Sequence, residues 1–339
     1  DSWGAAAELL APKWFDKDPA LSNEQNFEQL RLALRLARDA YLAGSPNTAF
    51  GHWQENYQKQ IDEGKKQNLN SLTACFGPAL IDRALLDALC RALGISFYDA
   101  IRKNAAGIAP AQAGGLLHFV EIPRQIAARH TVGLVDAITA ADLKERIGDG
   151  LPETLEDVIQ RYGHRWFKLK VGGDAAEDVE RLAAIAAVLD RSREPYQASL
   201  DGNEQYEDAD SVLNLLKKIS GQQRLKRLAS SIVFVEQPIK RRNALSASVA
   251  RLAAEKPVII NESDDSLDAF PRARKLGYTG VSSKTCKGIY KSLINATRCR
   301  LWNREEGAER YFMTGEDLTI QAGLALQQDL ALVSLLGLK

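Results

Sequence analysis

The run FKLKVGGD at residues 167–174 is followed by ASLDGN at 198–203, IVFVEQP at 232–238, VIINES at 258–263 and GVSSK at 280–284. Each is a short apolar or β-branched stretch that ends in ionisable or amide residues, as buried strands leading into a polar rim do. HTVGLVDAI at 130–138 and YFMTG at 311–315 extend the series on either side. Between the runs lie helical stretches, among them TLEDVIQRY (154–162), AEDVERLAAIAAVLD (176–190), ADSVLNLLKKI (209–219), LSASVARLAAE (245–255) and YKSLINATRCRLW (290–302). Another, DAFPRARKLG (268–277), is broken by Pro271. Such alternation predicts βα units around a parallel sheet. Strand ends recur about every 25–35 residues, near the roughly 31 per unit of a TIM barrel of about 250 residues. A doubly wound open sheet is the alternative, but neither GxGxxG nor GxxxxGK[ST] follows any run, which favours the barrel.

The first hundred residues read differently. In ALIDRALLDALCRALG (79–94), apolar residues at Leu80, Ile81, Ala84, Leu85, Ala88, Leu89 and Ala92 recur at helical spacing, with Pro78 near the start and Gly94 past the end. Ser22 and Gln25 form a capping box for a helix through residues 30–44, and residues 48–67 give a polar third helix. The chain has 339 residues, above the roughly 100–200 of an average domain, so a helical part joined to a barrel is expected.

Lys+Arg and Asp+Glu balance at 44 each, with no block of like charge. That argues against nucleic-acid and membrane-surface partners. No run of about 18 apolar residues and no signal-peptide pattern occurs. Cys75, Cys90, Cys286 and Cys299 are scattered without a CxxC, so neither a zinc site nor a disulfide framework is indicated and a reducing cytoplasm is expected. The chain opens on Asp1 rather than Met, and its native N-terminus is expected upstream.

The chemistry lies in the residues that end the runs: Lys168 and Lys170, Asp201 and Asn203, Glu236, Asn261 and Glu262, Lys284, and Glu316 with Asp317. In a barrel the C-terminal strand ends converge on one mouth, where active sites lie. Lys168 and Lys170 are two apart on a strand and project to the same side, with Leu169 opposite. Their mutual repulsion, and any nearby divalent cation, favours a neutral amine able to act as a general base. The alternative is a solvated pair on an edge strand. Asp201 and Glu236 end adjacent strands, an arrangement suited to a hard cation such as Mg²⁺; alternatively, both pair with Lys or Arg at the mouth.

Taken in order, FKLKVGGD, SLDGN, FVEQP, INES and SSKTCKG resemble the enolase superfamily, in particular its muconate-lactonizing subgroup within the mandelate racemase/muconate lactonizing enzyme family. Residues 79–104 resemble the helical end of that family's capping domain and residues 317–338 its last barrel unit. The resemblance implies an α/β fold: a modified TIM barrel of (β/α)7β type at 109–339, with an α+β capping domain at 1–108 whose N-terminal strands lie before residue 1. It implies an isomerase or lyase that uses Mg²⁺ and abstracts a proton α to the carboxylate of a small molecule. Racemisation or epimerisation, elimination and cycloisomerisation all remain open. Carried over residue by residue, the resemblance makes Lys170 the base on one face of the substrate and Lys284 the acid or base on the other. Lys168 becomes the electrostatic neighbour, and Asp201 and Glu236 the metal ligands. Asn203 supports them, and Asp317 stands where the family places an acidic residue near the bound carboxylate. Homo-oligomer formation is a further expectation from the resemblance.

The main departure is Asn261, where the subgroup has an Asp that supplies the third metal ligand. Three outcomes follow: Mg²⁺ bound through the neutral amide, a bulged Glu262 as ligand, or a site that has lost its metal. On a regular strand Glu262 would face away from Asn261. His52, His118, His130 and His164 all precede the lysine motif, which argues against the branch with a late-strand His base. The adjacency of Glu316 and Asp317 argues against dipeptide epimerisation. The competing functional class is a pseudoenzyme or carboxylate-binding barrel whose metal site decayed at Asn261.

Overall fold

The computed structural model describes residues 12–109, 123–316 and 323–338. Seven strands, β1 (Arg129–Val132), β2 (Trp166–Lys170), β3 (Gln197–Asp201), β4 (Ile232–Glu236), β5 (Val258–Ile260), β6 (Gly280–Ser283) and β7 (Phe312–Gly315), follow chain order in one sheet. Pairing from β1 through β5 is parallel, as crossover helices require. The chain is therefore an α/β protein with the strand order of a (β/α) barrel. Contacts divide it into two compact units, one of residues 127–263 and 271–280, the other of 1–126, 264–270 and 281–339.

The first of these units holds β1–β5. Registers bring Lys168 beside Ser199, Lys170 beside Asp201, and Asp201 beside Glu236. Because neighbours in register point to the same side of a sheet, the two lysines and both acids share one face. Phe167, Leu169, Leu200 and Val235 take the other face and are buried.

In the other unit, five helices fill the N-terminal part: α1 (Pro12–Phe15), α2 (Asn23–Ala43), α3 (Ala49–Lys66), α4 (Ser71–Leu93) and α5 (Phe97–Arg102). Ser22 and Gln25 cap α2 reciprocally. Helix α4 starts at Ser71, capped by Asn70, so Pro78 lies inside it rather than near its start. A proline there removes the bond to the carbonyl four residues back. That carbonyl, Ala74 O, instead accepts from the buried Gln60 amide at 3.1 Å, and Gln60 also donates to Ala33 O on α2 at 2.9 Å. Gly77 permits the close approach, since a Cβ there would stand 2.1 Å from Ala33 O. One side chain thus ties three helices. Pro271, for its part, sits in the first turn of the helix Ala269–Lys275, where its missing N–H costs nothing, so that helix is not broken.

Phe50, Trp53, Tyr57, Leu86, Tyr290 and Leu335 pack into this unit's main core. Among the described residues no helix is long and apolar enough to cross a membrane.

Asp82 on α4 is fully buried and accepts a hydrogen bond from Tyr41 at 2.9 Å. Burial holds its carboxyl well above the ordinary carboxylate range, against the smaller downward pull of that bond. The folded chain therefore keeps a proton that the unfolded chain releases. This contribution to stability is complete in acid and is lost as pH rises from the ordinary carboxylate range towards the raised value. Asp82→Asn keeps the acceptor and removes the titration, so its melting temperature relative to wild type should climb as pH rises above the ordinary carboxylate range in thermal melts.

Candidate active site

At the ends of β2–β5 the charged side chains form one network. The Lys168 ammonium stands 2.9 Å from Asp201 Oδ2 and 3.0 Å from Glu236 Oε1. Lys170 Nζ lies 2.5 Å from the same Asp201 oxygen and also donates to Asn203 Oδ1. Repulsion between the two ammonium groups is thus offset by a carboxylate they share. Asn203 Nδ2 donates to Glu262 Oε1 at 2.8 Å, and Asn261 Nδ2 donates to Glu236 Oε1 at 2.9 Å. Asp201 and Glu236 are fully buried. The Lys168 side chain is 4% exposed and that of Lys170 21%, so Lys170 is the lysine open to an incoming molecule.

Strand alternation does not govern Asn261 and Glu262, because β5 stops at Ile260 and both residues lie in the turn that follows. Both side chains therefore join the network. Glu262 Oε1 is taken by Asn203, but its Oε2 is buried without a hydrogen-bond partner. Arg129 on β1 was not evident from the motifs. Its Nη1 donates to Ser199 Oγ at 3.1 Å and lies 3.9 Å from Glu236 Oε2. The only sequence hint was a basic residue just before the HTVGLVDAI run.

Oxygen donors from Asp201, Glu236, Glu262 and the Asn261 amide are the type a hard divalent cation takes. Asp201 Oδ2 and Glu236 Oε1 already share one cation, the Lys168 ammonium, and the orphaned Glu262 oxygen offers a third anionic donor. Among the described residues no three Asp, Glu, His or Cys side chains stand close enough to hold a metal by themselves. The donor set therefore fits a divalent cation with an amide oxygen in its shell, or with Glu262 brought inward, once Lys168 yields its place.

Lys284 ends β6 and belongs to the other unit. Its ammonium stands 3.1 Å from Glu316 Oε1 and 4.2 Å from the centroid of the Trp14 ring, an ion pair and a cation–π contact. Ser282 Oγ donates to the same Glu316 oxygen at 3.0 Å. Burial pushes the nearby Cys286 thiol up to about 11, although Lys284 and Lys287 pull it the other way. Lys287 of the SSKTCKG motif is fully buried, 2.5 Å from Ser282 O and 3.6 Å from Asp264 Oδ2. Asp317 lies outside the described residues.

Residues 150–305 match the family model of the enolase C-terminal domain-like proteins. This part of the chain is an enolase-superfamily domain. In fold the chain is similar to a mandelate racemase/muconate lactonizing protein from Herpetosiphon aurantiacus, with a TM-score of 0.61 and 19% identity over 94% of this chain and 74% of that one. It is also similar to the muconate lactonizing enzyme of Pseudomonas putida, with a TM-score of 0.55 and 19% identity over 94% and 72%. A third likeness is to an enolase from Bradyrhizobium complexed with magnesium and mandelic acid, with a TM-score of 0.57 and 17% identity over 84% and 66%. No curated protein matches the chain in sequence. The matched stretch contains seven of the network residues, from Lys168 to Glu262, and leaves out Arg129.

Removing Lys168 leaves Asp201 and Glu236 buried without the cation they share. Lys168→Met should lower unfolding stability by about 3–5 kcal/mol in urea titrations. Millimolar Mg²⁺ should recover more of the lost stability in this variant than it adds to wild type, because the ammonium no longer competes for the same oxygens.

Proposed function

We propose that this protein abstracts a proton α to the carboxylate of a small-molecule substrate, giving an enediolate that is then reprotonated, loses a β leaving group or cycloisomerises. The observation that carries the reading is the pair of lysines at the end of β2, one deep and one open, sharing Asp201 within a ring of buried oxygen donors. Lys170, the more open, takes the proton, while Lys168 holds positive charge beneath it and keeps Asp201 and Glu236 in place. Lys284 serves as the second acid or base, and Asp317 as the acidic residue near the bound carboxylate. Proton loss next to a carboxylate builds a second negative charge, which is prohibitive unless positive charge is already in position.

Mg²⁺ held by Asp201 and Glu236, with the Asn261 amide oxygen or Glu262, would supply that charge. The magnesium and mandelic acid of the Bradyrhizobium protein support a cation and a carboxylate ligand here. Asn203 holds Lys170 and Glu262 in register, so the base keeps its aim when the donors move. Residues 1–108 then act as the capping part and 109–339 as the barrel. The four free cysteines suit a reducing compartment, which we take to be the cytoplasm. Assembly into a homo-oligomer belongs to the same proposal.

A second reading, a carboxylate-binding barrel without turnover, is favoured by one observation. Lys168 and the Asn261 amide already bind the Glu236 oxygen that a metal would need.

Calorimetric titration of Mg²⁺ into EDTA-treated protein separates the two. Binding should occur in wild type, disappear in Asp201→Ala and tighten in Asn261→Asp. A set of carboxylic acids in D₂O should then show exchange of the α proton by NMR, and Lys170→Ala should slow it roughly 10²–10⁴-fold. Absence of binding in wild type, restored by Asn261→Asp, would make the carboxylate-binding reading the correct one.

A further inference from the structure

The ladder between β4 and β5 stops in an unusual way. Gln237 N donates to Ile259 O at 2.9 Å, which is the last backbone bond on this edge before the mouth. Beyond it the chain of β5 pairs with the Gln237 side chain instead. Its Oε1 accepts from Asn261 N at 2.8 Å and from Ser263 N at 3.1 Å. Its Nε2 donates to Ser263 Oγ at 2.8 Å and to Ile239 O at 2.9 Å. A glutamine amide has two acceptor sites and two donors, and here all four are used. The residue is 1% exposed and its φ is +31°, a left-handed value that a side-chain-bearing residue keeps only when its surroundings hold it there.

The edge between β3 and β4 is built differently. There backbone bonds continue past the strands, from Gly202 N to Glu236 O, Glu204 N to Gln237 O and Tyr206 N to Pro238 O. Were β5 continued by the same ladder, Asn261 and Glu262 would alternate and only one would reach the mouth. A side-chain clamp on Asn261 N and Ser263 N lets the backbone turn between them, so both side chains face the same network.

We propose that Gln237 is the positioning residue that sets Asn261 and Glu262 together in the barrel mouth. Its amide substitutes for the missing strand edge, and the donors of the two residues it holds are the ones the cation reading needs. The proposal rests on that reading for its consequence, though not for its geometry.

The test uses the full chain with Gln237→Met, which keeps length and bulk but cannot accept from the two N–H groups. Should that chain fail to fold, Gln237→Asn, too short to reach both, replaces it. Amide hydrogen exchange followed by NMR should show Asn261 and Ser263 losing at least tenfold in protection, with Leu200 and Val235 in the sheet unchanged. Mg²⁺ affinity, measured by calorimetry on the same samples, should fall at least tenfold. Gln237→Glu, which keeps an oxygen acceptor at the same reach, should restore the protection, a rescue that a general packing role would not give. Unchanged protection at both amides in Gln237→Met would overturn the proposal, as would an equal loss across the whole sheet. A wild type that binds no Mg²⁺ would remove the cation reading, while the exchange result would still decide the role of Gln237.

Discussion

Everything at the mouth of this barrel depends on one ammonium group between two buried carboxylates. Asp201 and Glu236 have no exposed surface, and a carboxylate without a counter-charge is very costly to bury. Lys168 meets both within 3.0 Å. For that to happen, β2, β3 and β4 must be parallel and in a register that sets Lys170, Asp201 and Glu236 level, with Lys168 one pleat below. A slip of one residue in any of the three would turn its charged side chains into the hydrophobic layer that holds Phe167, Leu169 and Leu200. The charges therefore help to specify the register as well as to furnish the site.

Much of this was legible in the sequence because both relevant periods were strong. Alternating strand and helix patterns fixed the class of fold, and the two-residue spacing of Lys168 and Lys170 placed both on one face. What could not be read depended on partners far away in the chain. Pro78 looked like a helix start because local rules end helices at proline; the Gln60 amide, 14 residues before Ala74, makes it tolerable inside α4. Pro271 looked like a break and proved to be a first-turn residue. Glu262 looked turned away from Asn261 because a run such as VIINES carries no mark of where its strand stops. Past Ile260 the backbone N–H groups of Asn261 and Ser263 are taken by the side chain of Gln237, the residue after β4, a partner some 25 residues earlier in the chain.

Lys284 illustrates the same limit in the other unit. Its place after a short apolar run was visible, and so was the acidic pair that begins at Glu316. Trp14, some 270 residues earlier in the chain, gave no signal, yet its ring lies over the ammonium. An aromatic face and a carboxylate together hold this lysine in a fixed direction, whereas Lys170 is held by a carboxylate and an amide oxygen. The two lysines therefore meet different electrostatic surroundings.

The amide at position 261 also has an electrostatic consequence. Among the described residues, the network at β1–β5 sets Arg129, Lys168 and Lys170 against Asp201, Glu236 and Glu262, so positive and negative groups balance. Asn261 adds no charge and donates a hydrogen bond to Glu236, which an ionised aspartate could not do. An aspartate there would place a fourth carboxylate against a buried one and would call for a cation even before substrate arrives. With asparagine the formal charges of these described side chains already balance. A divalent cation entering this mouth would bring positive charge in excess, which an anionic ligand would offset. Under the function proposed above, the carboxylate of the substrate would be that ligand, so the asparagine would favour cation and carboxylate binding together.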